Sequence, residues 1–287
     1  MFKESISGGG LNFEKRRLFS ALALSNKEAM KLLQKFGLLR QEGETRERRA
    51  WGRLKSKERS FRDIAEHSLV VGMVTDVILE RLAEGSYISV DDRKRGTKAA
   101  LLHDLTKRQE LEMQYGVEKG EKGEYLDPEA RKRFIADLLE KHGVSSEDVA
   151  DFNLSKLARS GSLEVDIEKI SLESPQELIE WTIAISDYTV AQTDIVSIDQ
   201  RMEEAIKRGG YNEEFLWWFK KIYGEEALKD IQDPSEIAER VYDKAREAFD
   251  QVQNKLKPKL GLGEDETIYD FIQEQMEKRY AKERPES

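Results

Sequence analysis

Three histidines are present in the 287-residue chain, His67, His103 and His142, and two of them stand where an imidazole is unusual. His67 lies in the run DIAEHSLVVGMVTDVIL, with Val71, Val74 and Ile78 four, seven and eleven residues further on. That spacing places its ring along the buried stripe of a helix. His103 closes the apolar run KAALLHD, with Ala99 and Ala100 one turn behind it, and Asp104 follows at once. Two potential ligands therefore sit side by side on one expected helix. Asp187, in LIEWTIAISDYTVAQTD, is flanked at helical spacing by Ile183, Ala184, Val190 and Ala191, so a carboxylate stands on an apolar face. A buried carboxylate is costly unless a cation or a metal ion pairs with it. Two imidazoles and two carboxylates converging from three helices make an N2O2 set suited to divalent ions such as Mn, Fe, Co or Zn. Plainer readings exist: taken singly, His67 and His103 fit hydrogen-bonded core histidines, and Asp187 could pair with an arginine. The joint pattern favours the metal. His142, in the last turn before Gly143, suits an imidazolium at a helix C-terminus and stays outside the set.

The elements that must position these groups are marked by capping residues. Asp127-Pro128, Ser174-Pro175 and Asp233-Pro234 each put a proline at the first helical position behind a side chain that accepts from the new helix. Gly37, Gly143, Gly209 and Gly224 suit the left-handed residue that closes a helix. Between the marks, apolar residues recur at three and four, as in Ile64, Val71, Val74 and Ile78 or Ile179, Ile183, Val190 and Ala191. The expected fold class is all-α, with helices over 12–22, 26–36, 62–84, 90–106, 128–142, 146–159, 175–194, 199–208, 212–223, 235–256 and 265–281. Leu163, Val165 and Ile167 alternate with acidic residues and read as a short extended segment or a loop beside a pocket.

Composition narrows the chemistry. There is no cysteine, which excludes disulfides, thiolate catalysis and Cys-ligated metal sites. Acidic residues outnumber basic ones by 57 to 48, and a net charge of −9 disfavours the coating of nucleic acid. Against that background, residues 46–62 hold eight basic side chains and two acidic ones, which calls for an anion nearby. No apolar run reaches the roughly 18 residues of a membrane span, and MFKESISGGG lacks the basic start and apolar stretch of a signal peptide. The expected location is the cytoplasm, with no membrane partner.

The order His67, then His103-Asp104 36 residues later, then Asp187 83 residues beyond Asp104, resembles the HD superfamily of metal-dependent phosphohydrolases. AEHSLVVGMV resembles the first metal helix of the single-metal HD 5'-deoxynucleotidases, LLHDLTK the HD-x-x-K form of other members, and ISDYTV the terminal aspartate motif. The resemblance covers roughly residues 45–205. It implies an HD-domain helical bundle over 45–208, with an N-terminal helical extension over 1–44 that begins disordered and a C-terminal helical extension over 209–287. It also implies one divalent cation, Mn, Fe, Co, Zn or Mg, held by His67, His103, Asp104 and Asp187.

Departures from the family pattern are equally specific. Two-metal members carry further histidines between the doublet and the last aspartate, where this chain has only His142 and reads LARSGS at a place where those enzymes tend to have one. A single-metal centre follows. The related nucleotidases have a catalytic glutamate three residues past the HD aspartate; here that position is Lys107, and the next carboxylates are Glu110 and Glu112. The resemblance thus implies hydrolysis of a phosphate ester or anhydride of a nucleotide or similar small metabolite. Asp104 would orient the water, and Lys107, one turn beyond His103, would place an ammonium over the phosphate. Arg49, Arg53 and Arg62 are phosphate-clamp candidates, and Trp51 a base-stacking one, against the plainer readings of a solvated charged face and a packed ring. The alternative is a catalytically weak HD module that binds a nucleotide as a regulatory or signalling protein. Phe215, Trp217, Trp218 and Phe219 read as packing, against the core or across a homodimer.

Overall fold

Side chains that accept from otherwise unpartnered N–H groups fix the starts of several helices in this chain. The structure, a computed structural model, describes residues 20–39, 62–115, 127–158, 163, 166–209, 213–233 and 235–282. Its helices are α1 Lys27–Lys35, α2 Arg62–Glu84, α3 Val90–Leu102, α4 Lys107–Tyr115, α5 Pro128–Lys141 and α6 Ser146–Asn153. They continue as α7 Pro175–Tyr188, α8 Ile198–Gly209, α9 Glu213–Tyr223, α10 Ser235–Leu260 and α11 Ile268–Lys282. The fold is all-α; one antiparallel hairpin, β1 Val190–Ala191 with β2 Asp194–Ile195, interrupts it. Asp127 accepts from the Ala130 N–H at 2.8 Å to start α5, and Ser174 with Glu177 forms a reciprocal capping box on α7. Gly37, Gly143 and Gly224 adopt positive φ, whereas Gly209 ends α8 as its last residue.

Helix α2 is the member around which the others assemble. Ser68 to Thr75 and Val77 to Leu79 are buried without a break, so the helix is covered on all sides. It packs on α3, α7, α10 and α11. Two glycines permit this closeness. A Cβ on Gly72 would lie 2.6 Å from Leu101 of α3, and one on Gly96 of α3 would lie 2.4 Å from Leu79 of α2 and 3.0 Å from Ile179 of α7. The larger apolar core among the described residues runs from Ala23 and Leu33 to Phe271 and Met276. A smaller cluster gathers Trp218, Phe219, Ile237 and Val241, with Phe215 and Trp217 packed against it, which accounts for the aromatic run as packing. No described helix is long and apolar enough to cross a membrane.

Three expectations are corrected. The helix expected over 90–106 ends at Leu102; residues 103–106 form a tight turn in which the N–H groups of His103, Leu105 and Lys107 bond carbonyls three residues back. Lys107 then opens the separate helix α4, so neither the His103-Asp104 pair nor Lys107 continues α3. The helix expected over 175–194 ends at Tyr188, because Thr189 turns its hydroxyl to the Ser186 carbonyl and the β-branched pair Thr189-Val190 leads into strand. Val190 and Ala191 therefore flank Asp187 from the hairpin. Around the alternating stretch, Ile167–Lys169 is a turn of 3-10 helix and Leu163 lies in a turn, while Val165 lies outside the described residues.

The last helix is clamped to α2 by ions. Arg279 of α11 reaches Asp76 at 2.8 Å and Glu80 at 2.6 Å, while Arg93 of α3 reaches the same two carboxylates at 2.8 and 2.9 Å. Burial raises the Asp76 pKa, but the two guanidiniums outweigh it and hold the carboxyl below its usual value. A lowered carboxylate pKa adds stability above the unfolded value near 3.9, and that stability is lost as pH falls through the folded pKa. Asp76→Ala should cost about 2 kcal/mol in urea unfolding at neutral pH, since both guanidiniums lose one of the two carboxylates they share and keep only Glu80. The gap between variant and wild type should narrow as pH falls below about 4.

Candidate metal centre

Three of the four sequence-derived ligands come from different elements, and Asp104 shares a turn with His103 but lies outside the group the other three form. His67 projects from the second turn of α2, His103 is the cap residue just past α3, and Asp187 stands one residue before the end of α7. Their potential ligand atoms lie within 4.8 Å of one another. Asp187 Oδ1 is 2.8 Å from His67 Nε2 and 3.4 Å from His103 Nε2, and the two rings meet edge to face with centroids 5.3 Å apart. Asp104 joins from the side, with Oδ2 3.5 Å from His103 Nε2. The His103 side chain is only 2% exposed, whereas Asp187 and Asp104 are 18% and 22% exposed, so the cluster opens to solvent on its carboxylate side.

Hydrogen-bond counting shows what the cluster lacks. His67 Nδ1 faces the Gln192 carbonyl at 3.1 Å while its Nε2 faces Asp187, so both ring nitrogens meet acceptors. His103 Nδ1 faces the Ala100 carbonyl at 2.8 Å, and its Nε2 is a buried nitrogen with no hydrogen-bond partner. The Asp187 and Asp104 oxygens approach that Nε2 at ion-pair distance without the alignment of a hydrogen bond. A neutral imidazole carries one N–H and cannot donate in both directions. Positive charge, as protons or as a cation, must therefore sit between the two Nε2 atoms and the carboxylates. The arrangement fits a metal: with the proton on Nδ1, each ring would donate to a main-chain carbonyl and present Nε2, the usual pattern in a ligating histidine. A cation about 2.1 Å from each donor would separate neighbouring donors by about 3.4 Å in a tetrahedral site.

The same deficit appears in the titration of the residues. Burial lowers the His103 pKa, but the Asp104 and Asp187 carboxylates raise it more, to about 9. For Asp187, burial works upward and is overcome by His103 and His67, which hold the carboxyl far below its usual range.

The remaining site candidates fall elsewhere. Lys107 begins α4, half-buried, with its N–H on the Asp104 carbonyl. Glu110 accepts from the Thr106 hydroxyl at 2.6 Å and lies 3.8 Å from Arg131, while Glu112 accepts from Arg108 at 3.0 Å. Neither glutamate belongs to the His67, His103 and Asp187 group. His142 stacks on Phe36 with centroids 4.5 Å apart, away from the centre. Arg49, Trp51 and Arg53 lie outside the described residues, as does the side chain of Arg62, whose backbone opens α2. Two groups escaped the sequence reading: the main-chain carbonyls of Ala100 and Gln192. The first is implied by any helix ending at Leu102, and the second depends on a hairpin that the helical periodicity concealed.

No family model, curated protein or solved structure matches this chain. The centre is therefore read from its own geometry.

A divalent cation should displace the His103 proton when it binds. Below pH about 9, its apparent affinity should then rise about tenfold per pH unit, with about one proton released, measured by calorimetry in buffers of different ionisation enthalpy. The sign reverses for the metal-free fold. There the raised His103 pKa adds stability below pH about 6.5 that is lost as pH climbs through 9. Asp187→Asn should lose stoichiometric uptake of Co(II).

Proposed function

We propose that this protein is an HD-type, metal-dependent phosphohydrolase acting on a nucleotide or a similar small phosphorylated metabolite. The observation that carries the reading is the meeting of His67, His103 and Asp187 from three elements, with His103 Nε2 buried and without a hydrogen-bond partner among the described residues. The order of those residues along the chain, with Asp104 directly after His103, supports the resemblance to HD phosphohydrolases. The donor set of two imidazoles and one or two carboxylates suits Mn, Fe, Co or Zn better than Mg, which prefers oxygen ligands.

A divalent cation held there supplies Lewis-acid neutralisation of a phosphoryl oxygen and lowers the pKa of water near neutrality. The chain's own residues do the remainder. His67, His103 and Asp187 bind, and the two main-chain carbonyls keep the rings turned inward. Asp104, the most exposed member, holds a hydrogen bond from the attacking water and orients it towards phosphorus. Lys107 and the basic stretch with Arg49, Arg53 and Arg62 supply cations for the phosphate oxygens, and Trp51 a face for a base. Among the described residues, no second cluster of histidine and acidic ligands exists, which supports a single-ion centre.

One observation favours a second reading, a nucleotide-binding module with weak catalysis. Lys107 stands where related nucleotidases have a glutamate, and Glu110 is already engaged by Thr106 and Arg131. The two readings separate in one experiment. Purified protein is assayed for metal content and for phosphate release across nucleoside mono-, di- and triphosphates and sugar phosphates. Metal-dependent release, falling by about a thousandfold or more in both His103→Ala and Asp104→Ala, is the expected result. Tight nucleotide binding without turnover on any metal would favour the module, and a metal-replete protein inert towards all of them would end the hydrolase reading.

A further inference from the structure

The hairpin that follows Asp187 contains an unusual residue. Gln192, the first of the two loop residues between β1 and β2, has φ of +58°, a left-handed conformation that side chains other than Gly, Asn and Asp rarely adopt. Its own side chain is exposed, so burial of that side chain does not hold the conformation. What it sends inward is its carbonyl, 3.1 Å from His67 Nδ1 across 125 residues of sequence. Backbone strain of this kind persists where the surrounding structure imposes it. Here Val190 pairs with Ile195 and Ala191 with Asp194, the Val196 N–H closes on the Thr189 carbonyl at 2.9 Å, and Gln273 of α11 donates to the Ile195 carbonyl at 3.4 Å.

We infer that the left-handed Gln192 is the positioning residue for His67: its main-chain carbonyl takes the Nδ1 proton and thereby turns Nε2 towards Asp187. This rests on the metal-centre reading. The consequence is that two ligands distant in sequence share one support, since the turn that ends α7 beyond Asp187 also orients the ring on α2. The identity of the side chain at 192 is then immaterial except for its tolerance of positive φ. Gly and Asn tolerate it, and a β-branched residue resists it.

The test compares wild type with Gln192→Gly, Gln192→Asn and Gln192→Val. Two readouts are used: Co(II) affinity by visible absorption, and ring-nitrogen NMR of metal-free and Zn(II)-loaded protein, in which only three histidines contribute. Gly and Asn should keep wild-type affinity within about threefold, whereas Val should weaken it roughly ten- to a hundredfold, the usual cost of losing a partner behind a metal-ligating histidine. The Val variant should also lose the Nδ1-bound proton of His67 while the His103 signals stay in place, which a general loss of stability would not produce. Equal affinity in all four proteins, or equal loss in Gly and Val, would overturn the inference. If wild type takes up no Co(II), the metal-centre reading fails. The metal-free spectra still decide this inference, for it requires the His67 Nδ1 proton in wild type and its loss in Val. Should Val not fold, a wild-type His67 bearing no Nδ1 proton overturns it and a hydrogen-bonded one upholds it.

Discussion

Too many acceptors around two imidazoles is the constraint from which the rest of this structure follows. His67 and His103 each face a main-chain carbonyl on one side and carboxylate oxygen on the other, and a neutral ring has only one proton to give. Burial makes the deficit severe, because a low-dielectric surrounding strengthens attraction and repulsion alike. Only added positive charge between the rings and the acids relieves it. The raised pKa of His103 is that demand expressed as a proton, and a cation bound by the His67, His103 and Asp187 group would answer the same demand. Hydrogen bonding, titration and metal fit are thus one electrostatic fact.

Holding such a cluster together requires that the elements carrying it cannot drift. Helix α2 is covered on every side, with glycines at its contact with α3 and at the contact of α3 with α7, so the three ligand-bearing elements are packed at close range. Close packing of this kind transmits displacement, because interiors have few voids to absorb it. The opening lies on the carboxylate side, where Asp104 and Asp187 retain some exposure while His103 is sealed.

Much of this was legible before any coordinates. The span of α2 could be placed at residues 62–84 because its apolar stripe is long and periodic, and the starts of α5 and α7 because Asp127-Pro128 and Ser174-Pro175 write their caps in side chains. His67, His103 and Asp187 were found because a polar group on an apolar stripe contradicts its surroundings. What stayed hidden depends on backbone. The turn at 103–106 carries Leu105 in its middle and keeps the apolar pattern running, so nothing in the periodicity announces the break. The hairpin after Asp187 reads as more helix because Val190 and Ala191 fall at helical spacing. The carbonyls of Ala100 and Gln192 have no side-chain signature at all. Similarly, Glu110 stood out as a carboxylate near the motif, but its contacts with Thr106 and Arg131 are visible only in three dimensions.

The grip of Arg279 on Asp76 and Glu80 joins residues 203 and 199 positions apart. Closing so large a loop is entropically slow, and folds rich in distant pairings reach their native state later than those built from neighbouring helices. The contact between α11 and α2 is among the most distant in sequence that the described residues make. A chain without α11 would keep His67, His103 and Asp187 and lose the ionic grip of Arg279 on the helix that carries His67.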